Sequence, residues 1–369
     1  MMKYLSINGS IYISCTLNRY FLLKLSLWLL PLLIAGCREK TRPAEVAFGV
    51  NREEHRVDVI MDGKLFTSYL CSPHQEKPFL FPVMSAGGEV ITRGYPLEPR
   101  AMDRVDHPHH VGIWFNYGAV NGFDFWNNSD AVPPERKAGY GRIRHIETLS
   151  TEVVETTGIL IVKTLWTAPD NDDSEHLLSE KKEYRFSGDK NSRTIDHIST
   201  LTALSRDVLF SDSKEGLFAI RLERAFEFPS ESAVKYLDEQ GNLVEEYELY
   251  NSGVTGRYRN SEGIGGLDCW GKRARWVRLD GEKNGRQIAV IIFDHPGNPG
   301  FPAYWMSRGY GLFAINNLGQ KIYSEGREEL NLMLRKGETA VFKHRLMIVD
   351  GFPSDEAVER FYEEFIGLY

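Results

Sequence analysis

Apolar and polar residues alternate with a period of two along most of the chain. Val57-Asp58-Val59-Ile60-Met61 and Leu65-Phe66-Thr67-Ser68-Tyr69 flank Asp62-Gly63-Lys64, the pattern of two strands joined by a tight hairpin. Strand-like segments follow at 142–148, 152–156, 158–167, 182–186, 194–204 and 207–210, then at 276–279, 287–293, 311–315, 330–334 and 339–349. Clusters of Gly, Asn and Asp separate them and no helical stripe interrupts them. This texture predicts an antiparallel β-sandwich and not a parallel α/β fold. The period changes near the C-terminus, where Val358, Phe361, Tyr362, Phe365 and Ile366 fall on one helical face. Ser354 stands at the N-cap of that helix, and Asp355 and Glu356 suit its positive first turn.

The first 37 residues fall outside this pattern. Arg19 and Lys24 precede an apolar run over 25–34, and Ile34-Ala35-Gly36-Cys37 closes it with small residues and a cysteine. The run is about half the ~20 residues a membrane span requires. It predicts a cleaved secretory signal resembling the lipobox, with acylation of Cys37 and membrane tethering in the periplasm or at the cell surface. Residues 38–50 read as a tether, and 51–369 as one large β-sandwich domain.

Removing the leader, which carries Lys3, Arg19 and Lys24 and no acid, leaves 41 Lys+Arg against 51 Asp+Glu, a net charge of −10. That balance argues against nucleic acid or an anionic membrane surface as partner. Membrane contact is expected through the lipid alone. Cys71 and Cys269 remain after the leader; they could pair in an oxidising compartment, but both stand among apolar or aromatic neighbours where a buried free thiol is ordinary.

The densest chemistry lies in Asp106-His107-Pro108-His109-His110-Val111-Gly112-Ile113-Trp114-Phe115-Asn116, with three of the chain's ten histidines in four positions. Pro108 disfavours a helix here. A strand from His109 onwards would place His109, Val111, Ile113, Phe115 and Tyr117 on a core face, with His110, Gly112, Trp114 and Asn116 on a binding face. Asn121-Gly122 predicts a tight turn that folds Asp124 and Trp126 back beside the histidines. Further candidate groups are Lys214-Glu215 ahead of Arg221, the glycine-rich stretch 263–271, Asp294-His295 with Asn298, and Trp305 near Arg308. Polar groups and aromatic faces drawn from strand ends suit a polar ligand such as a sugar.

Two other chemistries draw on the same residues. His107 and His109 could share a strand face and bind a metal with His295 or Asp294 as third ligand, though no HExxH motif or cysteine cluster is present. Gly309-Tyr310-Gly311-Leu312-Phe313-Ala314 matches GxGxxA but does not open a helix, so no dinucleotide site is expected. No cofactor is assigned.

The histidine stretch, Val120-Asn121-Gly122-Phe123-Asp124-Phe125-Trp126, Lys214-Glu215-Gly216, Asp294-His295-Pro296-Gly297-Asn298 and Trp305-Met306-Ser307-Arg308-Gly309-Tyr310-Gly311 together resemble the PmoA-like family over nearly all of the mature chain. The resemblance implies a β-supersandwich similar to galactose mutarotases, in tethered or secreted proteins of glycan-degrading bacteria. Its methane-oxygenase label does not transfer, because no apolar run of the mature chain is long enough to span a bilayer. Val111 departs from the pattern, which often has Arg there.

The resulting expectation is a lipid-anchored protein acting on a carbohydrate by acid–base chemistry of epimerase, lyase or hydrolase type. His109, His110 and Glu215 are its acid–base candidates, with Lys214 and Arg308 stabilising charge. His107, Trp114, Asn116, Asn121, Asp124, Trp126, Arg221, Asp294, His295, Asn298 and Trp305 are its candidate ligand contacts. A non-catalytic glycan-binding lipoprotein and a metal-dependent oxygenase or hydrolase built on His107, His109 and His110 are the alternatives.

Overall fold

The period-two alternation becomes two stacked antiparallel sheets in the computed structural model, which describes residues 42–169, 176–246 and 248–369. Cys37 and the rest of the predicted leader lie outside the described residues. In chain order the strands are β1 (Val46–Asn51), β2 (Arg56–Met61), β3 (Lys64–Leu70), β4 (Phe79–Val83), β5 (Ile113–Tyr117), β6 (Arg142–Val154), β7 (Thr157–Thr167), β8 (His176–Asp189), β9 (Ser192–Ala203) and β10 (Val208–Phe210). Then come β11 (Gly216–Arg221), β12 (Val234–Leu237), β13 (Leu243–Glu246), β14 (Arg257–Asn260), β15 (Trp276–Lys283), β16 (Arg286–Asp294), β17 (Tyr304–Ser307), β18 (Leu312–Asn316), β19 (Leu332–Leu334) and β20 (Thr339–Asp350).

The first sheet runs β1-β2-β3-β4-β5-β11-β18-β17 and the second β14-β15-β16-β20-β9-β8-β7-β6. Two short pairs, β10–β19 and β12–β13, stand apart. The expected mainly β, antiparallel architecture is therefore the observed one. Two boundaries differ. Residues 46–50 belong to edge strand β1, where the buried Val46 side chain joins the core, and are not tether. The segments read as separate strands at 142–148 and 152–156 form one long β6, whose irregular register against β7 blurs the alternation.

Strand alternation sorts the first sheet into two faces. Ile113, Phe115 and Tyr117 of β5, Phe218 and Ile220 of β11 and Phe313 and Ile315 of β18 point into the core, against Leu160, Val162, Val290, Ile292 and Leu346 of the second sheet. The intervening Trp114, Ala219, Leu312 and Ala314 belong to a separate cluster on the outer face, with Tyr304 and Met306 of β17 and Phe79 and Phe81 of β4. Small residues at 219 and 314 leave room there for side chains arriving from loops.

The C-terminal helix, Asp355–Ile366, starts where Ser354 caps it by accepting a hydrogen bond from the Ala357 amide at 3.3 Å. Its Val358, Phe361, Tyr362 and Phe365 cover Trp276, Ile291 and Phe293 on the second sheet's far side.

Several groups expected at a ligand instead hold this scaffold together. Asp294 ends β16 fully buried and accepts from Asn298 at 2.8 Å, Asn317 at 2.9 Å and the Ala303 amide at 2.8 Å. His295 packs edge-on to Phe365 and Tyr369 beside the helix, and Trp305 lies in the core with its indole N–H donated to the Ala274 carbonyl at 3.0 Å. Asn121 does form the predicted turn, with φ of 49° beside 85° at Gly122, but its side chain bonds Leu209 N and Asp207 O and tethers β10. Polar groups at strand ends serve equally to close buried junctions, and these four are so engaged. Cys71 and Cys269 are free thiols.

Candidate functional site

On the outer face of the first sheet, the segment 105–112 forms a turn and not the first half of β5. His107 has a φ of +40°, His110 N–H donates to the His107 carbonyl at 3.0 Å, and Gly112 has a φ of +54°. A Cβ at Gly112 would stand 2.0 Å from the Leu80 carbonyl oxygen of β4. Left-handed backbone and that close approach end the strand, so the expected alternation holds only from Ile113. His109 and Val111 accordingly lie above the outer face instead of in the core.

One guanidinium holds the turn. Arg93 Nη1 donates to the carbonyls of Arg104 at 3.1 Å and Asp106 at 2.8 Å and to Asp106 Oδ1 at 2.6 Å; Nη2 donates to the carbonyls of His107 and His110, each at 3.0 Å. From the end of β11, Arg221 reaches the same Asp106 oxygen at 2.6 Å and meets His110 Nδ1 at 3.2 Å. Arginine can only donate, so His110 Nδ1 accepts and the neutral ring carries its proton on Nε2. Asp106 also contacts His107 Nδ1 at 3.2 Å and Arg104 at 3.8 Å; burial alone would raise its carboxyl, but Arg221, the contact with His107 and Arg93 hold it well below the usual range. Arg93 is pushed down to about 9 by its own burial and by Arg221.

Four rings stack above this network. Tyr310 lies 5.1 Å from His107, His107 lies 4.9 Å from His110, and His110 lies 5.4 Å from Trp114, with interplanar angles of 4°, 5° and 18°. Trp126 closes the side, at 5.2 Å from Trp114, while Asn116 on β5 fixes it by donating to the Phe125 carbonyl at 2.5 Å. Trp114 and Trp126 are fully buried, so they floor the site and present no open face. The indole N–H groups of both, and Asn116 Oδ1, are buried without a protein partner. Such orphan groups are uncommon, and three of them collect beneath this one surface.

The reactive groups rim the floor. His109 stands edge-on to His110 at 4.3 Å. Burial, then Lys77 and neighbouring cations, push its imidazole down to about 2, and His110 is lowered for similar reasons. Lys77 is itself buried, donates to the His109 carbonyl at 2.8 Å and lies 5.7 Å from the Trp114 ring; burial pulls it down to about 8. Lys77, His109, Phe79, Pro108 and Val111 line one side of a cleft of about 270 Å³. Across the floor, Glu215 pairs with Lys214 at 3.4 Å. Burial raises its carboxyl, Lys214 and Arg308 oppose that, and Asp124 adds to it. Asp124 itself caps its own turn through Trp126 N and Asn127 N at 2.8 and 2.9 Å. The 213–215 loop is fixed by Asn316, which donates to the carbonyls of Ser213 and Lys214, and by Tyr323, whose hydroxyl donates to the Lys214 carbonyl at 3.0 Å.

The structure thus brings together His107, His109, His110, Trp114, Asn116, Asp124, Trp126, Lys214, Glu215, Arg221 and Arg308, and leaves out Asn121, Asp294, His295, Asn298 and Trp305. Sequence reasoning missed Lys77, Arg93 and Tyr310. Lys77 follows a Pro- and Gly-flanked run that reads only as loop, and nothing in the neighbourhood of Arg93 marks it as buried. A metal site on the histidines does not fit. Parallel rings 4.9 Å apart hold the nitrogens of His107 and His110 in separate planes, not converging on one point about 2 Å away. Among the described residues, no group of three or more His, Cys, Asp or Glu could hold a metal ion. A second cleft of about 490 Å³, between β1 and β6, contains His55, Cys71 and His145. Burial pushes the Cys71 thiol up to about 11, so it keeps its proton and lacks nucleophilic character.

The chain belongs to DUF6807, a family of unknown function, whose profile matches residues 56–363. The PmoA-like label has no support among the comparisons, and among the described residues no helix is long and apolar enough to cross a membrane. No curated protein matches the sequence. Solved structures similar to it include the galactosidase domain of the α-galactosidase–sucrose kinase AgaSK, with 10% identity, a TM-score of 0.39, and coverage of 83% of this chain and 42% of that one. The chain therefore spans less than half the length of that protein. A galactose mutarotase-like protein from Clostridium acetobutylicum has 8% identity and a TM-score of 0.32, and a candidate aldose 1-epimerase from Escherichia coli K12 has 12% and 0.26; each matches over 83% of this chain and 99% of its own.

The Asp106 network yields a stability test with a definite sign. Because the folded-state pKa is depressed, the contribution of Asp106 is complete above the ordinary carboxylate value near 4 and is lost as pH falls below it. Asp106→Asn, which leaves two buried guanidiniums short of their carboxylate, is expected to cost about 3 kcal/mol in urea unfolding at pH 7. That deficit relative to wild type should shrink steadily between about pH 5 and pH 3; a deficit independent of pH would mean that the charge is not what holds the turn.

Proposed function

We propose that the protein is a carbohydrate-active enzyme working by acid–base chemistry on the outer face of the first sheet, with Glu215 transferring the proton and His109 acting as a neutral hydrogen-bonding partner. The observation that carries this reading is the reversed order of proton affinity. Free imidazole holds a proton about two pH units more tightly than a free carboxylate. Here Glu215 is raised while His109 is pushed down to about 2. The two groups meet the same stack of rings, Glu215 acting on Tyr310 and His109 packing edge-on to His107 and His110, and titratable groups of one site driven apart in this way are a mark of acid–base assignment. Of the acid–base candidates His109, His110 and Glu215, this reading gives the proton-carrying role to Glu215.

The surrounding groups fit that division. His110 offers Nε2–H as a fixed donor, and Lys77, held near 8, sets a positive charge beside His109 where negative charge on a sugar oxygen would develop. Epimerisation, elimination and hydrolysis all fit that division of roles. A ring-stacked floor with convergent polar groups at its rim suits a flat polar ligand better than an extended apolar one. The lipobox-like Ile34-Ala35-Gly36-Cys37 supports tethering of this domain by a lipid on Cys37, in the periplasm or at the cell surface.

A panel of freshly dissolved aldoses, glycosides and uronides, assayed with the full chain for anomerisation, elimination and bond cleavage, tests the enzyme reading. Turnover of at least one class is expected, falling by at least about 100-fold in Glu215→Gln while its binding persists. Sugar binding without turnover across the panel, unaltered by Glu215→Gln, would favour the glycan-binding lipoprotein instead. For the anchor, Cys37→Ser is expected to move the protein from the membrane fraction to the soluble fraction of expressing cells; unchanged fractionation would contradict it.

A further inference from the structure

We infer that the sugar taken by this site is anionic, its carboxylate or phosphate group being met by Arg308. The inference rests on the carbohydrate reading above and narrows it to a substrate class. The buried arginines next to the site are each matched: Arg93 and Arg221 hold Asp106 at 2.6 Å, and Arg104 holds Glu227 at 3.1 Å. Arg308, half-buried on the loop between β17 and β18, makes no ion pair with any described residue, although Glu215 feels its charge; its Nε, like those of Arg93, Arg104 and Arg221, is buried without a hydrogen-bond partner. Its place is nevertheless fixed. The guanidinium lies 4.8 Å from the Trp270 ring, and that indole is braced edge-on by Tyr323 at 5.7 Å. A stacked arginine keeps its donor edge free and pre-oriented, which suits a planar or tetrahedral oxyanion.

Charge balance around the site points the same way. Arg93, Arg104 and Arg221 share two carboxylates, those of Asp106 and Glu227, while Lys214 is answered by Glu215. Near Lys77 stand Glu76, which Lys137 and Arg142 already hold, and Asp124, which three hydrogen bonds from its own turn occupy. The site therefore carries more cations than carboxylates, in a chain whose net charge is −7. An anionic ligand restores the balance, and such a surplus in a partly desolvated cleft attracts anions from solution.

The test is calorimetric titration of the full chain with D-galactose, D-galacturonate and D-galactose 6-phosphate, and with the matching D-glucose series, at about 50 mM salt so that screening stays weak. At least one acidic sugar is expected to bind at least about tenfold more tightly than its neutral parent, equivalent to about 1.4 kcal/mol. Whether the uronate or the phosphate shows the advantage identifies the anion. The advantage should fall below about twofold in Arg308→Gln and survive in part in Arg308→Lys, a pair that separates lost charge from damaged structure. Neutral sugars binding as well as acidic ones, or an advantage that survives Arg308→Gln, would overturn the inference and leave the carbohydrate reading intact. No binding in either series would overturn both.

Discussion

A single carboxylate between buried guanidiniums is the constraint on which the rest of the site depends. Asp106 is shared by Arg93 and Arg221, and Arg93 spends its remaining donors on four carbonyls of the segment 104–110. A buried guanidinium without its anion is strongly destabilising, so the turn has essentially one place to sit. That placement stacks His107 and His110 between Tyr310 and Trp114, orders the His110 tautomer through Arg221, and sets His109 at the mouth of the cleft beside Lys77. The scaffold supplies the complement: small residues at 219 and 314 on the outer face make room for the turn, while the core face of the same strands is apolar throughout.

Reactivity follows from the same crowding. Burial in this covered floor makes positive charge costly and lowers Lys77, His109 and His110 alike, and for the two histidines the nearby cations add to it. Glu215 responds oppositely, because burial and the nearby Asp124 outweigh the help of Lys214 and Arg308. One local environment thus produces a carboxyl group suited to carry a proton, an uncharged imidazole, and an excess of positive charge facing solvent.

The sequence made the architecture largely legible, because period-two alternation and turn residues are local signals. The hairpin at Asp62-Gly63, the turn at Asn121-Gly122 and the capped C-terminal helix all appear where those signals placed them. Clustering of histidine also marked the candidate site. What local reading could not supply was depth. Trp305, Asp294 and His295 have the composition of ligand contacts, but Trp305 points from β17 of the first sheet into the core and Asp294 and His295 close the end of β16 in the second, since an indole N–H or a carboxylate meets buried polar groups as readily as it meets a sugar. Lys77 and Arg93 show the converse: alone in sequence they look like surface cations, and only long-range pairing buries them. The left-handed backbone at His107 and Gly112 is likewise imposed from outside, by Arg93 and by the Leu80 carbonyl.

The reversed proton order of Glu215 and His109 is the claim most directly open to measurement. Carbon-13 and nitrogen-15 NMR titration of the full chain, with Glu215 and His109 assigned through Glu215→Gln and His109→Asn, reads both groups in one experiment. The account predicts a Glu215 carboxyl that titrates above the usual glutamate value, and a His109 ring that stays neutral from about pH 8 down to about pH 4. A His109 ring that protonates near 6.5, beside a Glu215 already ionised at about pH 4, would contradict it.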